Sequence, residues 1–252
     1  MAVLSYNDLL TNRLNYKNGK SRGLEWKPVK MPYTPIDYDQ EGVPETLEKI
    51  IALALKLELP VGEWVGEATK KELPIHDVAK DLLLSNIADE TVHYKAFSFA
   101  AEDYLTNQKY LDEADVFLKA WDTGNFHPIE KACYAEVGVF LVSLAVMRIF
   151  GGETLCTLAG NVSRDEMRHV ATNKGVLADI GYDFTEHTSV NKLVDETLSW
   201  MLDDLKVPGM GKAFFMKQSK LLIKDGYSPA LERLTNGAED VSNFESPNYI
   251  LY

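Results

Sequence analysis

Cysteine is scarce in this chain. Only Cys133 and Cys156 occur in 252 residues, with no Cys-x-x-Cys pair. That excludes a disulfide framework and makes a reducing compartment, the cytoplasm, the expected location. Positive charge is also in short supply. Lys and Arg number 26 against 38 Asp and Glu, a formal net charge of −12. So acidic a chain, with no basic run, is not expected to bind nucleic acid or an anionic membrane. An acidic segment docking on a basic partner stays compatible with it. A long uncharged apolar run is missing too. The longest, Val137 to Phe150, contains Arg148 and is too short for a bilayer span, so it reads as a buried core helix. The first twenty residues are too polar for a signal peptide. No strand alternation and no Asn-Gly hairpin signal appear.

What is present is helical pattern. With 46% apolar and 25% charged residues the chain can bury a sizeable core. Residues 1–42 are polar and carry Pro28, Pro32 and Pro35. A short amphipathic helix is expected near Tyr6 to Leu14, followed by an extended arm. Pro44 suits the first turn of a helix running through "VPETLEKIIALALKLELPVGEWVGEATKK", which Pro60 is expected to kink or end. "PIHDVAKDLLLSNIADETVHYKAFSFAAEDYLTNQ" is a second helix. "HPIEKACYAEVGVFLVSLAVMRIFGG" is a third, stopped by Gly151 and Gly152. A fourth ends near Gly181, and two more follow up to residue 225. The predicted fold is therefore all-α: a helical bundle over 43–225, an N-terminal helix and arm over 1–42, and a flexible C-terminal tail over 226–252.

Two of these helices carry the same chemistry. Glu90 and His93 stand three residues apart, as do Glu166 and His169. At that spacing each pair shares one helix face. Carboxylate with neutral imidazole suits Fe and Mn, and two facing helices can hold two ions between them if the remaining helices each add a carboxylate. Glu136, 30 residues before Glu166, stands at the start of the most apolar helix, where an unpaired carboxylate is expensive to bury. Glu63, 27 residues before Glu90, is the corresponding expectation on the first helix, although Glu58 and Glu67 lie nearby. The plainer alternative makes one pair a surface ion pair and the other a satisfied core histidine.

"ADETVHYKAF" and "VSRDEMRHV" resemble the metal-binding segments of the ribonucleotide reductase small (β) subunit, a ferritin-like protein. "LEWKP" resembles that family's Trp segment and puts Trp26 in its role, while "VPETLEKIIALALKL" resembles its first ligand helix and leads to Glu63. Asp165, immediately before Glu166, matches the family's Asp that stands behind the metal-binding histidine. The resemblance covers roughly residues 20–180 and implies a ferritin-like bundle with extra flanking helices.

It also implies a radical-generating subunit of an aerobic ribonucleotide reductase. A dinuclear centre, activated by O2 or a related oxidant, would store a one-electron oxidising equivalent for a large catalytic (α) subunit. A homodimer and an activating flavoprotein belong to the same expectation. Many family members carry a radical Tyr four residues after the first ligand His, and here that position is Phe97, which has no O–H to lose. This favours a metal-centred Mn/Fe store over Fe2 or Mn2; otherwise another Tyr, such as Tyr94, Tyr104 or Tyr134, does the work. "SNFESPNYILY" resembles the docking tail, with Tyr249 as the relay residue and Tyr252 beside it. Rival readings are a di-metal oxidase or oxygenase acting on a small apolar substrate, an iron-storage protein, and a metal-free interaction bundle.

Overall fold

The computed structural model describes Leu10, Trp26 and residues 40–70, 73–182 and 188–236, and no strand occurs among them. The expected helix at Tyr6 to Leu14 lies outside these residues apart from Leu10, which is helical, and Tyr249 and Tyr252 lie outside them altogether.

Helix α1 (Val43–Lys70) presents a stripe of Leu47, Ile51, Ala54, Leu57, Val61 and Val65, all buried. Spacings of three and four residues keep such a stripe on one side. Gly42, just ahead of it, has φ +80°, and a Cβ there would lie 1.6 Å from the Asp204 carbonyl oxygen. Only glycine fits this approach. Of the two expectations for Pro60, a kink or an end, the end is not met: α1 is helical through it. The lost backbone bond and ring clash cost about 3 kcal/mol, which the buried stripe on both sides outweighs.

Helix α2 (Asp77–Tyr104) starts at His76, whose Nδ1 accepts from the Val78 N–H at 3.1 Å. Helix α3 (Lys109–Thr123) is one the sequence pattern does not announce. It buries only Tyr110, Ala114 and Trp121, too sparse a stripe to stand out. It lies against α1, and the Glu48 carboxylate accepts the Thr106 and Asn107 N–H groups at 2.8 Å each.

Helix α4 (Pro128–Phe150) is capped by His127, with Pro128 in its first turn. By length and composition it could cross a membrane, but neighbouring helices bury it. Its middle, Ala135–Phe140, is π-helical: the Leu141 N–H bonds the Glu136 carbonyl five residues back. The wider turn leaves carbonyls to be satisfied from outside. Ser219 Oγ donates to the Gly138 oxygen at 2.7 Å. Gly151 and Gly152, the latter at φ +68°, then turn the chain sharply into α5 (Gly152–Asp179).

Four long helices close a ring: α1 packs on α2, α2 on α5, α5 on α4, and α4 back on α1. Helices α6 (Thr188–Met201) and α7 (Lys212–Asp225) pack against the π-helical segment. The expected tail starts too early in the sequence reading. Residues 229–236 form helix α8 (Pro229–Asn236), with Leu231 and Thr235 buried. The reason lies in α4. Arg148 is buried there, and its Nη2 donates to the Thr235 carbonyl at 2.9 Å, so α8 supplies a partner for an otherwise costly charge.

A Cβ on Gly138 would meet Val194 Cγ1 at 2.9 Å, so Gly138→Val forces α6 off the π segment. The expected loss is about 1–3 kcal/mol in chemical denaturation, the range for overpacked cores. An unchanged denaturation midpoint would show that this contact does not limit the packing.

Candidate metal centre

Each helix of the ring sends acidic or imidazole groups inward at one level. Glu58 comes from α1, Glu90 and His93 from α2, Glu136 from α4, and Glu166 and His169 from α5. All six are almost completely buried. They form two overlapping groups, Glu58–Glu90–His93–Glu166 and Glu90–Glu136–Glu166–His169, and within each group one donor atom per residue lies inside 4.8 Å of the others.

The overlap has a simple geometry. His93 Nδ1 lies 3.2 Å from Glu90 Oε2 and 3.3 Å from Glu166 Oε1. His169 Nδ1 lies 3.0 Å from Glu90 Oε1 and 3.5 Å from Glu166 Oε2. Each of these two carboxylates therefore turns one oxygen to each histidine, as a bridging ligand must. Glu58 faces His93 alone at 3.4 Å, and Glu136 faces His169 at 3.8 Å, as terminal ligands do. The imidazole rings are 5.8 Å apart between centroids.

The residues fit a pair of divalent cations. Glu58 Oε2, Glu90 Oε1, Glu136 Oε1, both Glu166 oxygens and His169 Nδ1 are buried without a hydrogen-bond partner. Native interiors tolerate few such atoms, and here they converge. All-oxygen and imidazole donors suit Mn or Fe as well as other borderline ions.

Electrostatics give the same picture. Burial pushes the Glu58 carboxyl well above its ordinary range, and burial with the nearby Glu166 charge does so for Glu136. Burial opposes charge on His93, yet the surrounding carboxylates of Asp165, Glu166, Glu58 and Glu90 hold its pKa well above the usual value. His169 is raised in the same way, chiefly by Glu90. Glu90 is held below the usual carboxylate range: His169 and His93 overcome its burial. Two protons on the imidazoles thus stand in for positive charge that metal ions would bring.

Outside the six donors the two halves mirror each other. His93 Nε2 lies 3.3 Å from Asp165 Oδ2, and His169 Nε2 lies 3.3 Å from Asp89 Oδ2. Each Asp immediately precedes the bridging Glu of its own helix but serves the histidine of the other. Such partners fix which ring nitrogen keeps its lone pair for the metal. Arg168 reaches both, donating to Asp165 and lying 3.4 Å from Asp89. Trp26 Nε1 donates to Asp165 Oδ2 at 2.9 Å, and its indole stacks on His93 at 6.1 Å between centroids. Burial opposes ionisation of Asp165, but His93, Arg168 and Trp26 together hold it below the usual carboxylate range. Asn173 Nδ2 donates to Glu136 Oε2 at 2.9 Å and fixes that terminal ligand.

No protein-family model, curated protein or solved structure matches this chain. The reading of the site therefore rests on its own geometry.

One expected ligand is misplaced. Glu63 is exposed, and Glu58 takes the position on α1. Five residues on a helix is about 500°, so the two side chains point roughly 140° apart. The register was readable: Glu58 continues the buried stripe of Ile51, Ala54, Val61 and Val65, whereas Glu63 shares the outer side with Leu59 and Glu67. Asp89 was also readable, because Asp-Glu-x-x-His occurs at both 89–93 and 165–169. Arg168 and Asn173 had no such signal. Phe97 is buried one turn beyond His93, while Tyr94 and Tyr104 are half-buried and Tyr134 is fully buried.

Glu58→Ala is expected to cut bound metal from two ions per chain towards one, and Glu63→Ala to leave two, by elemental analysis of protein loaded with Mn(II) or Fe(II). Equal loss in both variants would reject the α1 assignment. A second expectation concerns pH. In metal-free protein His93, His169, Glu58 and Glu136 all have raised pKa values. Their stabilisation is complete below the unfolded pKa and is lost as pH rises through the folded one. The lowered groups Glu90 and Asp165 have already made their contribution by neutral pH. The melting temperature of the metal-free protein should therefore fall as pH climbs above about 6.5, and Mn(II) should restore it. A melting temperature that rises over that range contradicts the assignment.

Proposed function

We propose that the chain is the radical-generating small subunit of an aerobic ribonucleotide reductase, built as a ferritin-like bundle with a dinuclear, Mn/Fe-type centre. The observation that carries the proposal is the pair of half-sites sharing Glu90 and Glu166. When bound, the ions would supply a one-electron oxidising equivalent drawn from O2 or a related oxidant.

The chain's own residues support the remaining tasks. Glu90 and Glu166 have oxygens with no competing hydrogen bond, so they can shift between bridging and terminal positions. Asn173 keeps Glu136 still. Phe97, buried on the same helix face as His93, excludes water and cannot itself hold a phenoxyl radical, which favours storage at the metals. His93, Asp165 and Trp26 form one hydrogen-bonded line from the centre outward, ending at an indole that is 39% exposed. Asp165 accepts from both rings and stays ionised, so it couples them without taking their protons. The reading extends this line to a large catalytic subunit, with Tyr249 as relay in the C-terminal segment. Cys133 and Cys156 are buried and not joined in a disulfide, which agrees with a reducing, cytoplasmic setting.

The test is metal analysis and electron paramagnetic resonance after exposure to O2, followed by assay with the ribonucleotide reductase large subunit. Expected are two ions per chain, a stable Mn/Fe signal, and deoxyribonucleotide formation only when both subunits are present. Trp26→Phe should retain the metals and the signal but lose at least tenfold in turnover, and deletion of Asn243 to Tyr252 should behave alike. Turnover of a small apolar substrate without any partner would replace this reading with that of a di-metal oxidase.

A further inference from the structure

The chain has four tryptophans, and three of them donate the indole N–H to a carboxylate. Trp26 on Asp165 belongs to the line already described. Trp64 Nε1 donates to Asp122 Oδ1 at 2.8 Å, and Trp200 Nε1 donates to Glu113 Oε2 at 2.8 Å. The fourth, Trp121, is fully buried, and its Nε1 donates to the Thr197 hydroxyl at 3.2 Å. The reductase reading gives Trp64, Trp121 and Trp200 no task.

These three stand in series. A Cβ on Gly62 would lie 3.3 Å from Glu90 Cγ, so this turn of α1 abuts the metal centre. Trp64 follows two residues later, and Glu58 lies about 9 Å before it along the helix axis. Trp64 faces α3 and stacks on Trp121, with 6.3 Å between centroids and 26° between planes. Phe117, one turn before Trp121 on α3, packs on Trp200 of α6 at 4.9 Å. Thr197, which accepts from Trp121, is in turn one helical turn before Trp200. Trp64 and Trp121 are buried and Trp200 is half-buried, so the series runs from beside the centre to the surface. It leaves through α3 and α6, whereas Trp26 leaves past α5.

Loss of an electron makes an indole a far stronger acid, so it sheds its N–H proton to a base already bonded to it. Asp122 and Glu113 are such bases, within the reach that proton transfer needs. Lys131 Nζ stands 5.5 Å from the Trp64 ring and opposes positive charge there, so electron and proton leave Trp64 together. The Thr197 hydroxyl is no base, and Trp121 passes on an electron while keeping its proton. We propose that Trp64, Trp121 and Trp200 form a second one-electron path, by which a small reductant at the surface discharges the metal centre when no large subunit draws on it. The proposal rests on the reading that the centre stores an oxidising equivalent. Trp64 gives one electron inward and its N–H proton to Asp122. An electron from Trp121, with the proton returning from Asp122, restores Trp64. Trp200 restores Trp121 and gives its own proton to Glu113. A one-electron donor of the ascorbate class restores Trp200, whose proton returns from Glu113. The net change is one electron from donor to centre, with no tryptophan altered.

The test uses the full chain carrying Trp26→Phe, which closes the first route, loaded with Mn(II) and Fe(II), oxidised with O2 and kept without the large subunit. Ascorbate is then added and the decay of the metal signal is followed by electron paramagnetic resonance. Further substitution of Trp64→Phe or Trp200→Phe should slow that decay at least tenfold. Asp122→Asn, at an exposed position that leaves the packing intact, should slow it as well and remove the difference between H2O and D2O. Without ascorbate, oxygen-modified tryptophan should collect at Trp200, and at Trp121 once Trp200→Phe is introduced, by peptide mass spectrometry. Equal decay in all variants, or no modified tryptophan in this series, overturns the proposal while the functional reading stands. A loaded protein that never acquires a metal signal overturns both.

Discussion

The fold is organised around a repulsion. Four carboxylates and two imidazoles meet in a core that is otherwise apolar, with their oxygen and nitrogen atoms aimed at the same space. Left unpaired, such a set would cost several kcal/mol per charge. In the metal-free chain, protons on His93 and His169 and on Glu58 and Glu136 relieve part of that cost. Divalent cations relieve it more completely, because each takes up several lone pairs at once. The packing around the centre supplies rigidity that the charges themselves cannot. The ring of α1, α2, α5 and α4 holds the six groups at one level, so the strain is carried by the whole bundle and not by any single helix.

The helix that bears Glu136 departs from the regular α-helix around that residue. The π segment of α4 widens the backbone where Glu136 enters the core. Such bulges leave carbonyls to satisfy and recur at functional sites. Ser219 on α7 caps one of those carbonyls, and Gly138 lets α6 and α7 come close enough to do so. The flanking helices are therefore part of the site's support, two layers removed from the ligands. Arg148 has the same relation to α8 at the other end of α4, where one buried guanidinium anchors a short helix by a backbone carbonyl.

Crossing of the outer carboxylates links the two halves. Asp89 serves His169 and Asp165 serves His93, so neither helix can rotate without disturbing the histidine on the other. Arg168 between the two Asp residues ties both halves to one side chain. The halves still differ. Asp165 is shared among His93, Arg168 and Trp26, whereas Asp89 is more open to solvent. The two histidines therefore sit in unequal surroundings although the groups around them are the same in kind.

The sequence by itself determined the helical class, the four long helices and the inward set on α2 and α5, because residues three and four apart share a face whatever the rest of the chain does. It also contained Glu58 in the phase of the α1 stripe and Asp89 in the repeated Asp-Glu-x-x-His. It did not determine α3 or α8, whose buried faces are short and gain their stability from α1, α6 and Arg148. Pro60 does not end α1 because propensity is local, while the burial that overrides it is not. Only the tertiary structure decided which carboxylates face both histidines and which face one, and which Asp serves which histidine. Spacing along one helix fixes angles about its own axis. Distances across a bundle depend on the rotation and shift of each helix against its neighbours, and those are set by packing.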